Sequence, residues 1–284
     1  MPDVAESHGL GAASLGMVMQ TSKRHLAGLA AVSVTVASVG ALALPLASDI
    51  DATPHHWSYS GESGPTRWSA MDAQFTTCGN GKAQSPIDLE SRDAKKGKAG
   101  EFNIDYEKGD VALVNNGHTV QANVSDAKDT VVFDGDTYRL AQFHFHSPSE
   151  HTTDGTRFPL EIHFVNDDAH KRVLVVGVMV KLGSENESLA PVFHSLPAKS
   201  RNGPDHASKA IPVDLASVLP GNHEAFVYRG SLTTPPCTEG VQWVVLSHPI
   251  QMSKEQIASF SKLFPDNHRP LQKINGREID DDPN

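Results

Sequence analysis

The chain has 284 residues and a formal net charge of −10, with 38% hydrophobic and 20% charged residues. That length suits one large domain or two small ones, and that balance is typical of a soluble globular protein. An acidic chain repels phosphate backbones, which recruit clustered Lys and Arg, so nucleic-acid binding is excluded.

At the start, Lys23-Arg24 precedes an uncharged run from Leu26 to Ser48 with small residues at Ala41, Ala43 and Ala47. A basic pair, an apolar stretch and small residues together predict a secretory signal peptide over residues 1–48. A retained membrane anchor or a buried core helix are the alternatives, because the run approaches the roughly 20 residues that span a bilayer. The Ala, Ser, Thr and Val content and Pro45 favour cleavage, leaving no stable membrane association. No Cys ends the run, which argues against a lipid-attached lipoprotein. Residues 1–16 lie far upstream of the basic pair, so Met17 or Met19 would make a more conventional start. The domain proper is expected over residues 50–284, periplasmic or extracellular.

His55-His56-Trp57-Ser58-Tyr59 and Pro65-Thr66-Arg67-Trp68 mix aromatic residues with turn formers, which predicts an irregular segment packed on a core. Residues 90–101, rich in Lys and Gly, read as a solvated loop. Short apolar or alternating runs follow at 111–114, 119–124 and 130–133, separated by turn signals at Asn115-Asn116-Gly117-His118 and Asp134-Gly135-Asp136. The run 172–180 is apolar at every other position and between, so it predicts a central strand covered on both faces. Helical periodicity is confined to short pieces near 186–194 and 253–263, with another turn or two near 212–218. The expected fold class is β-rich α+β: one domain built on a central sheet with short peripheral helices.

The chemistry lies in two alternating stretches. In Gln142-Phe143-His144-Phe145-His146, the period of two puts Gln142, His144 and His146 on one face and the Phe pair on the other. Leu160-Glu161-Ile162-His163-Phe164 repeats the pattern, with Glu161 and His163 on one face. Asp154-Gly155-Thr156 between them is a turn signal, so antiparallel pairing would gather three imidazoles on one patch. Three neutral nitrogen ligands with a fourth position open is the pattern of a catalytic Zn2+ site. Gln142 and Glu161 stand two residues before a candidate ligand, where they can accept its second ring N–H. A Thr hydroxyl that donates to a carboxylate can orient a zinc-bound hydroxide; Thr233 or Thr234 with Glu150 are the candidates. Cys78 and Cys237 are the only cysteines. They make either one disulfide closing a loop of about 160 residues or two buried free thiols.

With Gln84-Ser85-Pro86-Ile87-Asp88, Asn115-Asn116-Gly117-His118, Ser149-Glu150-His151-Thr152, Gly230-Ser231-Leu232-Thr233-Thr234-Pro235-Pro236 and Asn267-His268-Arg269-Pro270 added to the two His stretches, the chain resembles the α-class carbonic anhydrases of bacterial, exported type. The likeness runs in order from about His55 to Arg277. It implies a twisted, mostly antiparallel sheet of about ten strands and a zinc lyase that hydrates carbon dioxide reversibly to bicarbonate and a proton. Carried over by position, His144, His146 and His163 are the zinc ligands, and Gln142 and Glu161 their outer partners. Thr233 meets the zinc-bound hydroxide and Glu150 accepts from Thr233. His118 is the proton shuttle, in a Gly-containing turn that leaves it free to swing. Val165, Val175, Leu232, Val241 and Trp243 form the apolar wall for carbon dioxide, with Thr234 beside it. Tyr59, Asn116 and Gln121 hold cleft water. The cysteine pair matches a disulfide, and Ser85-Pro86 and Pro235-Pro236 match cis bonds. The loop between His146 and His163 is shorter than in animal members, and Gln121 stands where fast animal forms have Asn.

The alternatives are a non-catalytic carbonic-anhydrase-like zinc-binding protein, which typically lacks a ligand His, and an esterase, for which no acyl pocket is legible. Oligomeric state is left open between monomer and homodimer.

Overall fold

The structure is a computed structural model that describes residues 56–98, 100–125, 128–198 and 208–284. Those residues belong to the compact unit Ala52–Asn284, and the expected leader over 1–48 lies outside them. In chain order the first strands are β1 (Asp88–Leu89), β2 (Lys95–Lys96), β3 (Phe102–Asp105), β4 (Lys108–Asn115) and β5 (Val120–Val124). Next come β6 (Thr130–Phe133), β7 (Asp136–His146), β8 (Thr152–Thr153), β9 (Thr156–Arg157) and β10 (Leu160–Asp167). The last are β11 (Val173–Leu182), β12 (Ile211–Asp214), β13 (Ala225–Ser231), β14 (Glu239–Met252) and β15 (Asp280–Asp282).

Ten strands follow one path, β12-β4-β5-β7-β10-β11-β14-β13-β15-β2, and β3 and β6 branch from β7 to complete a twelve-stranded sheet. Pairing is mostly antiparallel, with parallel contacts at β11–β14 and β15–β2. The expected sheet of about ten strands is therefore present, with the branch as the addition.

The centre of this sheet is set by hydrophobic patterning. Leu174, Val176, Val178 and Val180 of β11 enter the larger core, while Val175 and Met179 enter a second cluster on the opposite face. A strand apolar on both faces has nowhere to sit but the middle, and β11 lies between β10 and β14. Phe143, Phe145, Ile162 and Phe164 fill the larger core at no exposure. Each such side chain contributes roughly 2–3 kcal/mol of burial, which fixes the face that β7 and β10 turn to the core. The polar residues between them are thereby committed to the other face.

The Asp154-Gly155 turn forms, with both residues at positive φ (47° and 73°), but it joins β8 to β9 rather than β7 to β10. The His strands pair across a longer excursion, with His163 opposite His144 and Glu161 opposite His146. The expected solvated loop over 90–101 contributes β2 at the sheet edge, where Lys95 and Lys96 pair with Asp280 and Asp281 of β15. Opposite charges across a ladder favour this pairing, and exposed Lys side chains suit an edge.

Among the described residues, helices are short: α1 (Trp68–Met71), α2 (Thr77–Asn80), α3 (Ala190–His194), α4 (Leu215–Val218) and α5 (Lys254–Leu263). α5 begins as its sequence predicts, because Ser253 and Gln256 form a reciprocal capping box. α3 starts later than its periodicity suggests, because the Asn186 side chain accepts the Leu189 N–H at 3.0 Å and holds a turn ahead of it. None of the described helices is long and apolar enough to cross a membrane.

Cys78 and Cys237 are joined by a disulfide, their Cα atoms 5.0 Å apart, and the alternative of two free thiols falls. Trp68 packs with the bridge, and Trp57, Tyr59, Met71 and Phe75 pack around it, so the irregular aromatic segment has its own small core. The peptide bonds Ser85-Pro86, Ser147-Pro148 and Pro235-Pro236 are cis.

Candidate metal centre

β7 and β10 deliver His144, His146 and His163 to one face, and each ring has one nitrogen already engaged. His144 Nδ1 is 2.9 Å from Gln142 Oε1, and His163 Nε2 is 2.9 Å from Glu161 Oε1. His146 Nδ1 is 2.7 Å from the backbone oxygen of Asn267. Each of these acceptors fixes the tautomer, so His144 and His146 present Nε2 lone pairs and His163 presents Nδ1. One ligand nitrogen from each ring lies within 4.8 Å of the others.

Two buried atoms at this point have no hydrogen-bond partner, His146 Nε2 and Glu150 Oε2, and they are 3.5 Å apart. Orphaned polar atoms at full burial cost about 1–3 kcal/mol each, and a cation bound to the imidazoles relieves both. The donor set fits zinc: three neutral nitrogens and an open side. A second group of possible ligands, His151, Glu161 and His163, is a hydrogen-bonded cluster instead, since both rings meet the same Glu161 oxygen at 2.7 and 2.9 Å.

Burial, reinforced by the neighbouring imidazoles, holds His144 well below the ordinary histidine value, and burial also lowers His163. Burial pushes His146 down from 6.5 to about 4. The metal-free fold therefore rejects a proton that the unfolded chain accepts, and stability is complete above about pH 6.5 and is lost as pH falls towards 4. His146 alone accounts for roughly 3 kcal/mol of that loss. Urea titrations of chelator-treated protein at pH 7 and pH 4.5 are expected to show it, and a His146→Gln variant is expected to lose less.

Glu150 lies behind the triad. Its Oε1 accepts the Arg269 N–H at 2.7 Å, and Oε2 is 3.9 Å from His163 Nδ1. Burial raises its pKa, while His163, Thr233 and the Arg269 amide favour the charged form. Thr233 is buried in the segment after β13, where Leu232 N–H donates to Thr238 O and Cys237 N–H to Thr234 O. Its hydroxyl lies close enough to the Glu150 carboxyl to favour the charged form.

Val165, Val175, Leu232, Val241 and Trp243 all belong to the apolar cluster on this face, and Trp243 lies edge-on to His163 with centroids 4.9 Å apart. Thr234 is half-buried nearby in sequence. Gln121 of β5 is opposite His144 and donates to Asn123 at 2.7 Å. Asn116 does not present its oxygen to a cleft: Oδ1 accepts the N–H groups of His118 and Thr119, each at 2.9 Å. His118, expected to be free to swing, instead stacks on Trp57 at 3.6 Å and 8°, with His56 at 5.4 Å and Tyr59 at 6.5 Å. Burial and the Glu150 charge raise the Tyr59 hydroxyl well above its usual pKa.

Three contributors were missed by sequence reasoning: the Asn267 carbonyl, the Arg269 amide and His151. The first two act through backbone atoms, which leave no residue-type signal. The Asn267 side chain also donates to His118 O and Phe145 O at 3.0 Å each, tying the His118 turn to β7.

Three imidazoles, each held through its second nitrogen on one large sheet, make a group that could hold a metal ion. The family model described as "Eukaryotic-type carbonic anhydrase" matches residues 63–282. A carbonic anhydrase of Pectobacterium carotovorum is 40% identical over 225 residues, covering 79% of this chain and 90% of that one. The α-carbonic anhydrase of Thermovibrio ammonificans, solved with the inhibitor sulfanilamide, superposes with a TM-score of 0.74 at 41% identity, covering 79% of this chain and 98% of that one. The Photobacterium profundum α-carbonic anhydrase gives 0.72 at 40% identity, covering 79% and 99%. The chain belongs to the α carbonic anhydrase family and is an enzyme of the carbonic anhydrase class.

Proposed function

We propose that this chain is a zinc carbonic anhydrase that interconverts carbon dioxide and water with bicarbonate and a proton. His144 and His146 through Nε2, and His163 through Nδ1, would hold the ion. Bound there, zinc supplies a Lewis acid that makes water nucleophilic near neutral pH, an effect for which carbonic anhydrase is itself the reference example. The observation that carries the reading is the convergence of three lone pairs within 4.8 Å, each on a ring anchored by its other nitrogen.

The chain's own groups supply orientation. Glu150 accepts a hydrogen bond from the Thr233 hydroxyl, which leaves a Thr233 lone pair to align the attacking oxygen. Carbon dioxide is uncharged, so Val165, Val175, Leu232, Val241 and Trp243 can hold it without desolvating a charge, with Thr234 at the edge. His118 takes the released proton to solvent, because an imidazole gains and loses a proton at neutral pH. It rests stacked on Trp57, while Tyr59 and Gln121 contribute polar groups on the way and Asn116 fixes the His118 turn through its Oδ1.

Metal analysis of the purified protein, with stopped-flow hydration before and after chelation, tests the reading; hydration indifferent to chelator would end it. His118→Ala is expected to slow turnover by up to roughly 100-fold in weak buffer, and added imidazole should restore part of it. Failure of that rescue removes the shuttle role and leaves the metal site standing.

Export belongs to the same proposal. Residues 1–48, or a start at Met17 or Met19, act as a leader, and the Cys78–Cys237 bridge suits an oxidising periplasmic or extracellular space. N-terminal sequencing of the mature form checks this.

A further inference from the structure

The last strand of the sheet carries negative charge in an unfavourable place. β15 is made of Asp280, Asp281 and Asp282, and aspartate is among the residues that strands accept least readily. Asp280 stands opposite Val227, and Asp282 opposite Ala225. Residues directly opposite in a ladder share a face, and Ala225 and Val227 both enter the larger core. Two carboxylates are thereby turned to the side of the sheet that holds Phe102 and Phe133.

Phe102 and Phe133 pair across β3 and β6. One step further along stand Glu101 and Asp134, where the Asp134 N–H donates to Glu101 O at 2.9 Å. A groove of about 340 Å3 lies here, lined by Glu101, Asp134, Val227 and Asp280 together with Arg229 and Arg277. The Arg277 guanidinium is engaged by the carbonyls of Gln84, Arg229, Lys273 and Ile274. Lys95, on the neighbouring β2, pairs with Glu278. Among the described residues, none of Glu101, Asp134, Asp280 and Asp282 has an ion-pair partner.

Asp282 makes this more than a patch of surface charge. It is fully buried, and while its Oδ1 accepts the Asn284 N–H at 2.7 Å, its Oδ2 has no hydrogen-bond partner. Its charge is felt at Glu101, whose carboxyl is raised by burial and then by Asp280, Asp282 and Asp134, with Lys98 opposing. A buried carboxylate oxygen beside like charges is costly unless a positive charge meets it. One proton neutralises one carboxylate, whereas one divalent cation can draw on several.

We propose that Glu101, Asp134, Asp280 and Asp282 form a calcium site that fastens β15 to the β3–β6 branch. Every donor is an oxygen, which suits a hard cation and not zinc. Among the described residues only histidine-containing groups bring three ligand atoms within 4.8 Å of one another, so these oxygens leave room for water beside the ion. Calcium takes roughly six to eight oxygens in flexible geometry, water included, whereas magnesium demands a tight octahedron. An open site of this kind is expected to bind calcium with a dissociation constant of about 0.1–1 mM. It stands apart from the three-histidine centre and does not depend on the zinc reading.

The test is the thermal midpoint of the folded mature protein, dialysed free of calcium and then titrated with calcium chloride. At about 10 mM calcium the midpoint should rise by roughly 3–10 °C, and magnesium chloride at the same concentration should give less than half of that. Asp282→Asn keeps the shape of the side chain and the acceptor for the Asn284 N–H. It should lose the calcium response while its calcium-free midpoint stays at or above the parent's, because one like charge is gone. No calcium shift in the parent overturns the proposal, as does an equal shift with magnesium. An equal calcium shift in Asp282→Asn also overturns it, since that is general screening of an acidic chain. Should Asp282→Asn not fold, Glu101→Gln carries the same comparison, and an undiminished calcium shift there overturns the proposal equally.

Discussion

A His146→Ala variant is expected to lose its metal to a mild chelator and to show no hydration above the uncatalysed rate. Outer partners of metal ligands are worth 10- to 100-fold in affinity, so loss of a ligand should exceed 100-fold. The effect on folding should be small by comparison. Removing a buried ring leaves a cavity, but His146 Nε2 is an orphaned atom in the metal-free fold, and its removal relieves about 1–3 kcal/mol. The metal-free variant is therefore expected within roughly 2 kcal/mol of the metal-free parent. Metal content and hydration rate, read beside urea midpoints, check both halves. Retention of stoichiometric zinc by His146→Ala would remove this residue from the ligand set.

The second large effect is on stability. The Cys78–Cys237 bridge spans 159 residues. Closing a loop of that size is worth at most roughly 5 kcal/mol in the chain-entropy account, and native bridges usually contribute 2–5. A Cys78→Ala, Cys237→Ala double variant should unfold at a temperature lower by roughly 5–20 °C. Both sides of the bridge have other restraints: Gln84 Nε2 donates to Cys237 O at 3.0 Å in the Thr233 segment, and Arg269 donates to Cys78 O at 2.9 Å and Ser85 O at 2.8 Å on the other side. Arg269 also lies over Trp68, and burial pushes its guanidinium down to about 10. Hydration by the folded double variant is therefore expected within about tenfold of the parent, with the main loss in thermal midpoint. Equal midpoints would mean that the bridge adds nothing to these contacts.

The two effects separate because different interactions govern them. His146 sits where the fold leaves lone pairs unpaired, so the site gives up stability for affinity. The bridge acts on the unfolded chain and on two segments already held, one by Arg269 and one by Gln84.

Much of the site was legible from alternation. A period of two with Phe143 and Phe145 on one side leaves His144 and His146 no face but the other, and Glu161 and His163 follow the same rule. The apolar run of β11 predicted its central place for the same reason: burial on both faces. Motifs spread from Gln84 to Pro270 supplied the family, and with it the proposed shuttle position and wall. Local patterning was less able to find β2 and β15, because their pairing depends on backbone contact between Lys95-Lys96 and Asp280-Asp281, far apart in sequence and polar throughout. The Asp154-Gly155 turn was read correctly as a turn, yet it joins β8 to β9, whose small sheet is completed by β1 pairing with β8 through Asp88-Leu89, far away in sequence.

What the sequence by itself determined is which residue types face which way: side-chain alternation is a property of the local backbone, and hydrophobic burial selects its sign. Only the tertiary structure decided which ring nitrogen of each histidine is free: Gln142 and Glu161 were legible as acceptors on their ligands' own strands, but that one meets Nδ1 and the other Nε2, and that the distant Asn267 carbonyl serves His146, follows from how the rings pack. It likewise decided that His118 rests on Trp57, and that the His151 ring bridges Glu161 and Tyr228. Those facts depend on distances between strands, and no run of residues along one strand encodes them.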